Sequence, residues 1–487
     1  AEDLQFVIDQ EEGATVEETA ALARELMVIA LRQNEVIDAT AYAGTSGPVD
    51  FNGLVRGYYL REGPHVAEVR INLIEDAYRR HSSHQIALRL EKAIHPVVEK
   101  YGASVKVVER PPGPPVLAPV VAEVGGPPDL PYPDLIEAGA RVEALFHRQE
   151  GLLGVDSSIE APARKLIFEV DRQKAALAGI TPETVGRLVA AAMGGTDLTL
   201  LRESREIRPR PVRLRLPAES RDDLAGIASL PLARLDGRIL TVGSLGQFRE
   251  TVIDQTIERK NLQRVLYVTA EVGGRTPLDA VFSLSSEVER LKEEGTLPAE
   301  IKVSFDGEGE WFVTRRVFRD LGIALGVATL AIYAMLVFQT GSYVISLILL
   351  SSIPLTMIGI LPGFWLLNAL MATETVGYAV RIPFTATGMI GIVALAGIAV
   401  RNAILLIDFT HHEEKGGRSI RDALLRAGAL RSRPILLTAG TAMLAVVPIA
   451  FDPVFAGLAW SLIFGLFVST TFTLLLVPTL YHWVYGD

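Results

Sequence analysis

The chain has 487 residues, 49% of them hydrophobic, a formal net charge of −10 and no cysteine. Without cysteine there is neither a disulfide framework nor a thiolate metal site, and the acidic balance supplies no basic footprint for a nucleic-acid partner. The sequence has no GxxxxGK phosphate loop, so it offers no direct ATP site.

In chain order, residues 4–9 (LQFVID) read as a strand, 15–31 as a helix, 36–42 and 66–74 as strands, 82–100 as a helix and 104–109 as a strand. Strand, helix, strand, strand, helix, strand is the split βαβ pattern, in which helices cover one face of an antiparallel sheet. The prolines of PPGPP at 111–115 then break it. A second unit is expected from Val120, with a helix at 133–150, strands near 152–156 and 163–170, and a helix at 181–193. Its completion is delayed to 262–272, 276–294 and 301–305, which read as strand, helix and strand. The arginine- and proline-rich stretch 194–260 between them reads as an inserted subdomain, because structureless loops beyond about 15 residues are uncommon in compact domains.

From residue 321 the chain changes character. Segments 321–338, 341–371, 382–400, 434–451 and 453–481 contain no Asp, Glu, Lys or Arg. Each is near or above the roughly 20 helical residues that cross about 30 Å of hydrocarbon, so five spans are expected. Residues 411–433 read as the one sizeable loop between spans, and its Lys415, Arg418, Arg421, Arg426, Arg431 and Arg433 place it in the cytoplasm. Counting outward puts residues 1–316 outside the cytoplasmic membrane. Ala1 is not an initiator methionine, and AEDLQFVIDQEEG is neither a signal peptide nor an anchor. The expectation is therefore a preceding span and amino-terminal part that this sequence omits, with a processed mature form as the alternative.

Within GIAVRNAILLIDF at 397–409, Arg401 interrupts an uncharged run. An arginine deep in a membrane helix costs at least about 2.5 kcal/mol, which points it toward a protein interior or a proton or substrate path. Asn402 adds a neighbouring polar group able to hydrogen-bond between helices. Asp408 follows Arg401 by one heptad, about 10.5 Å along the axis and on the same face, too far for an easy ion pair. It is read either as a proton-path group or as a cap on the cytoplasmic end of a polar seam beside His411 and His412, two histidines that read as surface residues.

Four stretches in register carry a family resemblance: EVDRQKAALAGITPETV at 169–185, GIAVRNAILLIDF at 397–409, RSRPILLTAGTAMLAVVPIAF at 431–451 and FGLFVSTTFTLLLVPTLY at 464–481. The chain resembles the carboxy-terminal half of a resistance-nodulation-division (RND) efflux transporter, from just after the seventh membrane helix to the end of the twelfth. The fold this implies is a membrane α-helical bundle joined to periplasmic α/β porter subdomains of split βαβ, ferredoxin-like build. The resemblance implies a first porter subdomain at 1–117, a second at 118–193 and 262–312, a docking or funnel insert at 194–261, and a membrane domain at 317–487. Its helices are expected at about 317–338, 343–368, 383–411, 432–450 and 454–484.

The resemblance also implies that Arg401 partners two aspartates of a homologous amino-terminal half, and that Thr470 is a hydroxyl near the proton relay; Asp408 and Asn402, read from their own positions, complete the candidate relay residues. It implies an inner-membrane homotrimer, a periplasmic adaptor and an outer-membrane channel. The protein would be a proton antiporter rather than an enzyme, with no cofactor. The absence of Cys and the total of 7 Met leave no soft-metal ladder, and RNAILLIDF at 401–409 resembles the hydrophobe and amphiphile exporters more than the heavy-metal group, so hydrophobic or amphiphilic substrates are expected. A lipid exporter, a SecDF-like translocation factor and a non-transporting scaffold are the alternatives.

Overall fold

The computed structural model describes residues 2–110, 116–202, 209–221, 223–234, 236–380, 382, 384–452 and 454–486. The first α/β unit runs β1 (Asp3–Asp9), α1 (Val16–Leu31), β2 (Val36–Thr45), α2 (Phe51–Arg56), β3 (Glu62–Leu73), α3 (Ser83–Tyr101) and β4 (Ser104–Glu109). Its antiparallel sheet has the order β2-β3-β1-β4, the split βαβ arrangement. Both long helices start on capping boxes, Thr15 with Glu18 and Ser82 with Gln85, so their first amides are satisfied locally before any packing. Gly102 ends α3 in the left-handed conformation at φ 60°. Phe6, Ile8 and Ile71 of the sheet meet Leu22, Leu26, Ile86 and Leu90 of the helices in one core. Each such side chain contributes about 1.5–3 kcal/mol by leaving water.

The second unit opens with β5 (Val120–Gly125), α4 (Tyr132–Arg148) and β6 (Leu152–Ser157). The insert follows as β7 (Arg164–Val170), α5 (Arg172–Ala178), α6 (Pro182–Gly194), β8 (Thr196–Leu201), β9 (Arg210–Leu214), α7 (Ala218–Arg221), α8 (Leu224–Ala228), β10 (Pro231–Ala233), β11 (Ile239–Thr241) and β12 (Gly246–Val252). The second unit resumes with β13 (Arg259–Lys260), β14 (Gln263–Val272), α9 (Pro277–Glu293) and β15 (Lys302–Ser304). β6 pairs β14, β14 pairs β5 and β5 pairs β15, all antiparallel, which repeats the strand order of the first unit.

The structure draws one domain boundary differently from the sequence. Residues Ala161–Thr256 form a compact unit of their own. Residues 161–193 therefore group with the insert and not with the second porter subdomain. β7 pairs β12 over its whole length, and Ala178, Ile180 and Val185 share a small core with Leu232, Val242 and Leu245. A strand's alternation says that it is half-buried, not which sheet accepts it.

Among the described residues, five helical stretches are long and apolar enough to cross a membrane: Gly309–Thr340, Tyr343–Met371, Ala386–Lys415, Ile420–Phe451 and Ala456–Tyr485. We label them α10 (Gly309–Thr340), α11 (Tyr343–Leu350) and α12 (Ser352–Met371), which share the second stretch with a break at Ser351, α13 (Ala386–Lys415), α14 (Ile420–Val446) and α15 (Ala456–Tyr485). A short hairpin of β16 (Thr373–Thr375) and β17 (Tyr378–Val380) joins α12 to α13. The expected loop at 411–433 shrinks to 416–419. Nothing between Ile420 and Arg431 breaks a helix, and the Ser419 side chain caps α14 by accepting the Asp422 amide.

The helices α13 and α15 run side by side in parallel. Gly391 lies against Ser461, Leu395 against Gly465, and the His411 ring 5.7 Å from that of Tyr481, so each contact joins residues 70 apart. A Cβ on Gly391 would stand 2.8 Å from Ser461 Cβ, and one on Gly465 would overlap Leu395 Cδ1. Gly465→Val is expected to lower stability by about 1–3 kcal/mol through overpacking. The check is the melting temperature of purified protein against Gly440→Val, since a Cβ at Gly440 meets nothing within 4 Å. Equal melting of the two variants would remove close packing from the account.

Candidate functional site

On α13, the residues Ala394, Gly397, Arg401, Leu405 and Asp408 are exposed in one stripe at three- and four-residue spacing. The opposite face, including Ala399, Val400, Ala403 and Ile407, is buried against the other helices. Arg401 and Asp408 make no ion pair among the described residues, with each other or with a third group. Their heptad spacing accounts for the first point. Their place on the uncovered face accounts for the second.

Asn402, next to Arg401, turns inward and is 2% exposed; Thr470 on α15 is 3% exposed. By the 70-residue register Thr470 stands level with Val400, two positions from the level of Asn402. Asn402 Oδ1 and the hydroxyls of Ser469, Thr470 and Thr473 are buried without a hydrogen-bond partner among the described residues. Thr471 and Thr479 of the same helix instead donate back to the carbonyls of Phe467 and Leu475, at 2.9 and 2.7 Å. Asn402 on α13 and Ser469, Thr470 and Thr473 on α15 are thus buried polar groups with unmet hydrogen bonds, and Arg401 and Asp408 lie on the neighbouring face of α13. Leaving a buried donor or acceptor unmade costs about 1–3 kcal/mol, so such groups need a reason to persist.

At the other end of the seam, Tyr481 donates to Glu414 Oε2 at 3.2 Å, and the Arg431 guanidinium lies 4.8 Å from the centre of the Phe409 ring. Glu413 holds Arg418 at 2.9 Å and Arg426 at 3.4 Å. Of the two histidines read as surface residues, His412 is exposed and His411 is half-buried against Tyr481.

A second polar centre lies where the two split βαβ units meet. Arg56 of the first unit, 8% exposed, donates to Glu271 of the second at 2.7 Å, and Lys106 pairs with Asp156 across the same junction. Glu271 also borders a cavity of about 40 Å³ whose lining includes His84, Glu91 and Glu109. His84 and Ser83 both bond Glu109. Burial, with the Glu271 charge as a smaller cause, pushes the Glu91 carboxyl up to about 7. The His84 imidazole is also held above its ordinary value, by its hydrogen bond to Glu109. Sequence reading passes over all of these residues, since none belongs to a short motif.

The sequence pattern described as the AcrB/AcrD/AcrF family matches residues 1–485. The chain belongs to that family of RND permeases. Among family relatives, it is 27% identical over 355 residues to the swarming motility protein SwrC of Bacillus subtilis, covering 72% of this chain and 32% of SwrC. It is 27% identical over 361 residues to the cobalt-zinc-cadmium resistance protein CzcA of Cupriavidus metallidurans, covering 72% and 32%. It is 23% identical over 354 residues to the multidrug resistance protein MdtC of Erwinia tasmaniensis, covering 72% and 33%. A crystal structure of a heavy metal efflux pump shares the fold, with a TM-score of 0.77 at 21% identity over all of this chain and 47% of that one. The matches to these curated relatives cover about a third of their length. The RND permease fold, a multi-pass membrane protein with sheet-rich α/β units, is thereby established for this chain.

Proposed function

We propose that this chain is the carboxy-terminal half of a proton-driven inner-membrane RND permease that exports hydrophobic or amphiphilic compounds. One observation carries the reading: Arg401 and Asp408 stand on an uncovered face of α13, backed by Asn402 and Thr470 with unmet hydrogen bonds. An arginine facing hydrocarbon is costly, whereas carboxylates from a second helical bundle against this face would satisfy it. Protonating those carboxylates would release Arg401, change the packing of α13 on α15, and shift the α/β units between states with different access. The basic residues around α14's start support a cytoplasmic turn and a periplasmic position for residues 1–316. A homologous amino-terminal half, a homotrimer, an adaptor and an outer-membrane channel complete the assembly we propose. The porter subdomains would be residues 1–117 and 118–160 with 257–312, and the docking insert residues 161–256.

A second reading, export of divalent metal cations, is favoured by the similarity to metal-resistance proteins such as CzcA. Substrate-evoked proton flux separates the two. Everted vesicles carrying the full-length permease are expected to release protons from the lumen on addition of a cationic amphiphile and not on addition of cobalt, zinc or cadmium. The opposite pattern would transfer the assignment to metals, and flux with neither would sink proton-driven export.

Thr470 gives a finer test. Its hydroxyl can donate and accept, alanine leaves a void, and valine keeps the volume without the polar function. Thr470→Ala and Thr470→Val are expected to slow transport about tenfold while Thr470→Ser retains most of it, measured at matched membrane abundance. Equal rates for all three would assign Thr470 to ordinary helix packing.

A further inference from the structure

The helix α10 packs through one face and leaves the other bare. Phe318 meets the Phe384 ring at 5.8 Å, and Leu325, Ile332 and Leu336 join the membrane core. At 100° per residue these four share a side. The opposite side carries, from its start downward, Phe312, Arg316, Arg319, Ile323, Val327 and Leu330, and the last three are 61%, 62% and 69% exposed. On the flank of that stripe, a Cβ added at Gly322 or Gly326 would meet nothing within 4 Å.

The upper end of this face is basic. Phe312, Arg315, Arg316 and Arg319, all within two turns of α10, border a shallow groove that is open along its length. Arg315 is paired with Asp306 at 2.9 Å and Arg319 with the adjacent Asp320 at 2.8 Å. Arg316 has no ion pair among the described residues; its guanidinium lies 5.6 Å from the centre of the Phe312 ring, which leaves its charge unneutralised. The uncharged run begins at Leu321, so the arginines lie at the border of the hydrocarbon. From Arg319 to Leu330 the helix descends about 16 Å, close to one leaflet of a core about 30 Å thick.

We propose that this face of α10 binds an anionic phospholipid, its phosphate held by Arg316 and Arg319 and an acyl chain laid along Ile323, Val327 and Leu330. Charge complementarity selects the headgroup, because a net positive groove at the membrane border attracts an anionic lipid over a zwitterionic one. The apolar stripe beneath it selects a lipid over a soluble phosphate. A protein segment over the same face is the competing occupant.

The test counts lipids on the purified protein by native mass spectrometry, with palmitoyl-oleoyl phosphatidylglycerol or phosphatidylcholine titrated into the micelles. The wild type is expected to retain phosphatidylglycerol in preference. The Arg316→Gln/Arg319→Gln variant is expected to retain it about tenfold less strongly, with phosphatidylcholine unchanged. Glycerol 3-phosphate is expected not to displace the lipid; displacement would make the groove a phosphate site and overturn the proposal. Equal retention of both lipids by the wild type, or of phosphatidylglycerol by the variant, would also overturn it and favour a protein segment on this face. Should the double variant elute as aggregate, Arg316→Gln alone leaves the Arg319–Asp320 pair intact and carries the same comparison at about threefold.

Discussion

Arg401→Ala in the full-length permease is expected to abolish substrate-evoked proton flux while leaving membrane insertion intact. Insertion survives because α13 keeps its long apolar run, and removing a charge from it lowers the cost of placing it in the bilayer. Flux fails because the carboxylates proposed to face Arg401 lose the cation that makes their protonation consequential. With an arginine opposite, a carboxylate is held ionised until a proton arrives; without it, the same carboxylate in a low-dielectric setting stays protonated and has nothing to release. Arg401→Lys keeps the charge but not the planar fork, so partial flux is expected from it. Arg418→Ala serves as the control: its side chain pairs with Glu413 at the turn after α13, outside the stripe, and its loss is expected to leave flux near wild type. The measurement is proton movement in everted vesicles at matched abundance of assembled protein. Normal flux from Arg401→Ala would count decisively against the proposed relay.

Arg401 was visible in the sequence because a single charge interrupts an uncharged run, and a run of that length has one ready physical reading. The buried polar groups behind it were not visible. Which residues of α15 face Asn402 follows from the α13–α15 register, which is set by Gly391, Ser461 and Gly465 packing closely, and register between helices leaves no mark in periodicity. The split βαβ units could be read because their helix starts are written locally, in Thr15 with Glu18 and Ser82 with Gln85. The allegiance of β7 to β12 could not, since Arg164 and Val252 are joined only by the folded chain. The junction between the units is the extreme case: Arg56 and Glu271 stand 215 positions apart, and neither sits in a pattern that names the other.

That junction supports a prediction as large as the first. Arg56 is 8% exposed and its partner's side chain 21%, so Arg56→Ala leaves the Glu271 carboxylate partly buried beside a cavity that already holds Glu91 and Glu109. Breaking one partner out of such a pair costs about 3–5 kcal/mol, more than the pair itself contributes, because the remaining charge is left uncompensated. The pH dependence should sharpen the case. Glu91 is raised from its ordinary value of 4.5 to about 7, so closing the junction favours its protonated form. Its contribution is fully present below about 4.5 and is lost as pH rises through about 7, up to about 3 kcal/mol in all. His84, also raised, works in the same direction: its partnered, charged form favours the closed junction below its ordinary value and loses that advantage on the alkaline side.

The junction is therefore expected to be tighter at pH 5 than at pH 8. Glu91→Gln should flatten much of that slope and stabilise the junction at pH 8, with the remaining slope belonging to His84. Hydrogen exchange of the amides in α3, β4 and β14 reads this locally, without requiring that the whole chain unfold. A wild-type protection profile independent of pH between 5 and 8, or a Glu91→Gln profile that keeps the full wild-type slope, would show that the cavity is open to water in solution and that Glu91 titrates there as an ordinary surface carboxyl.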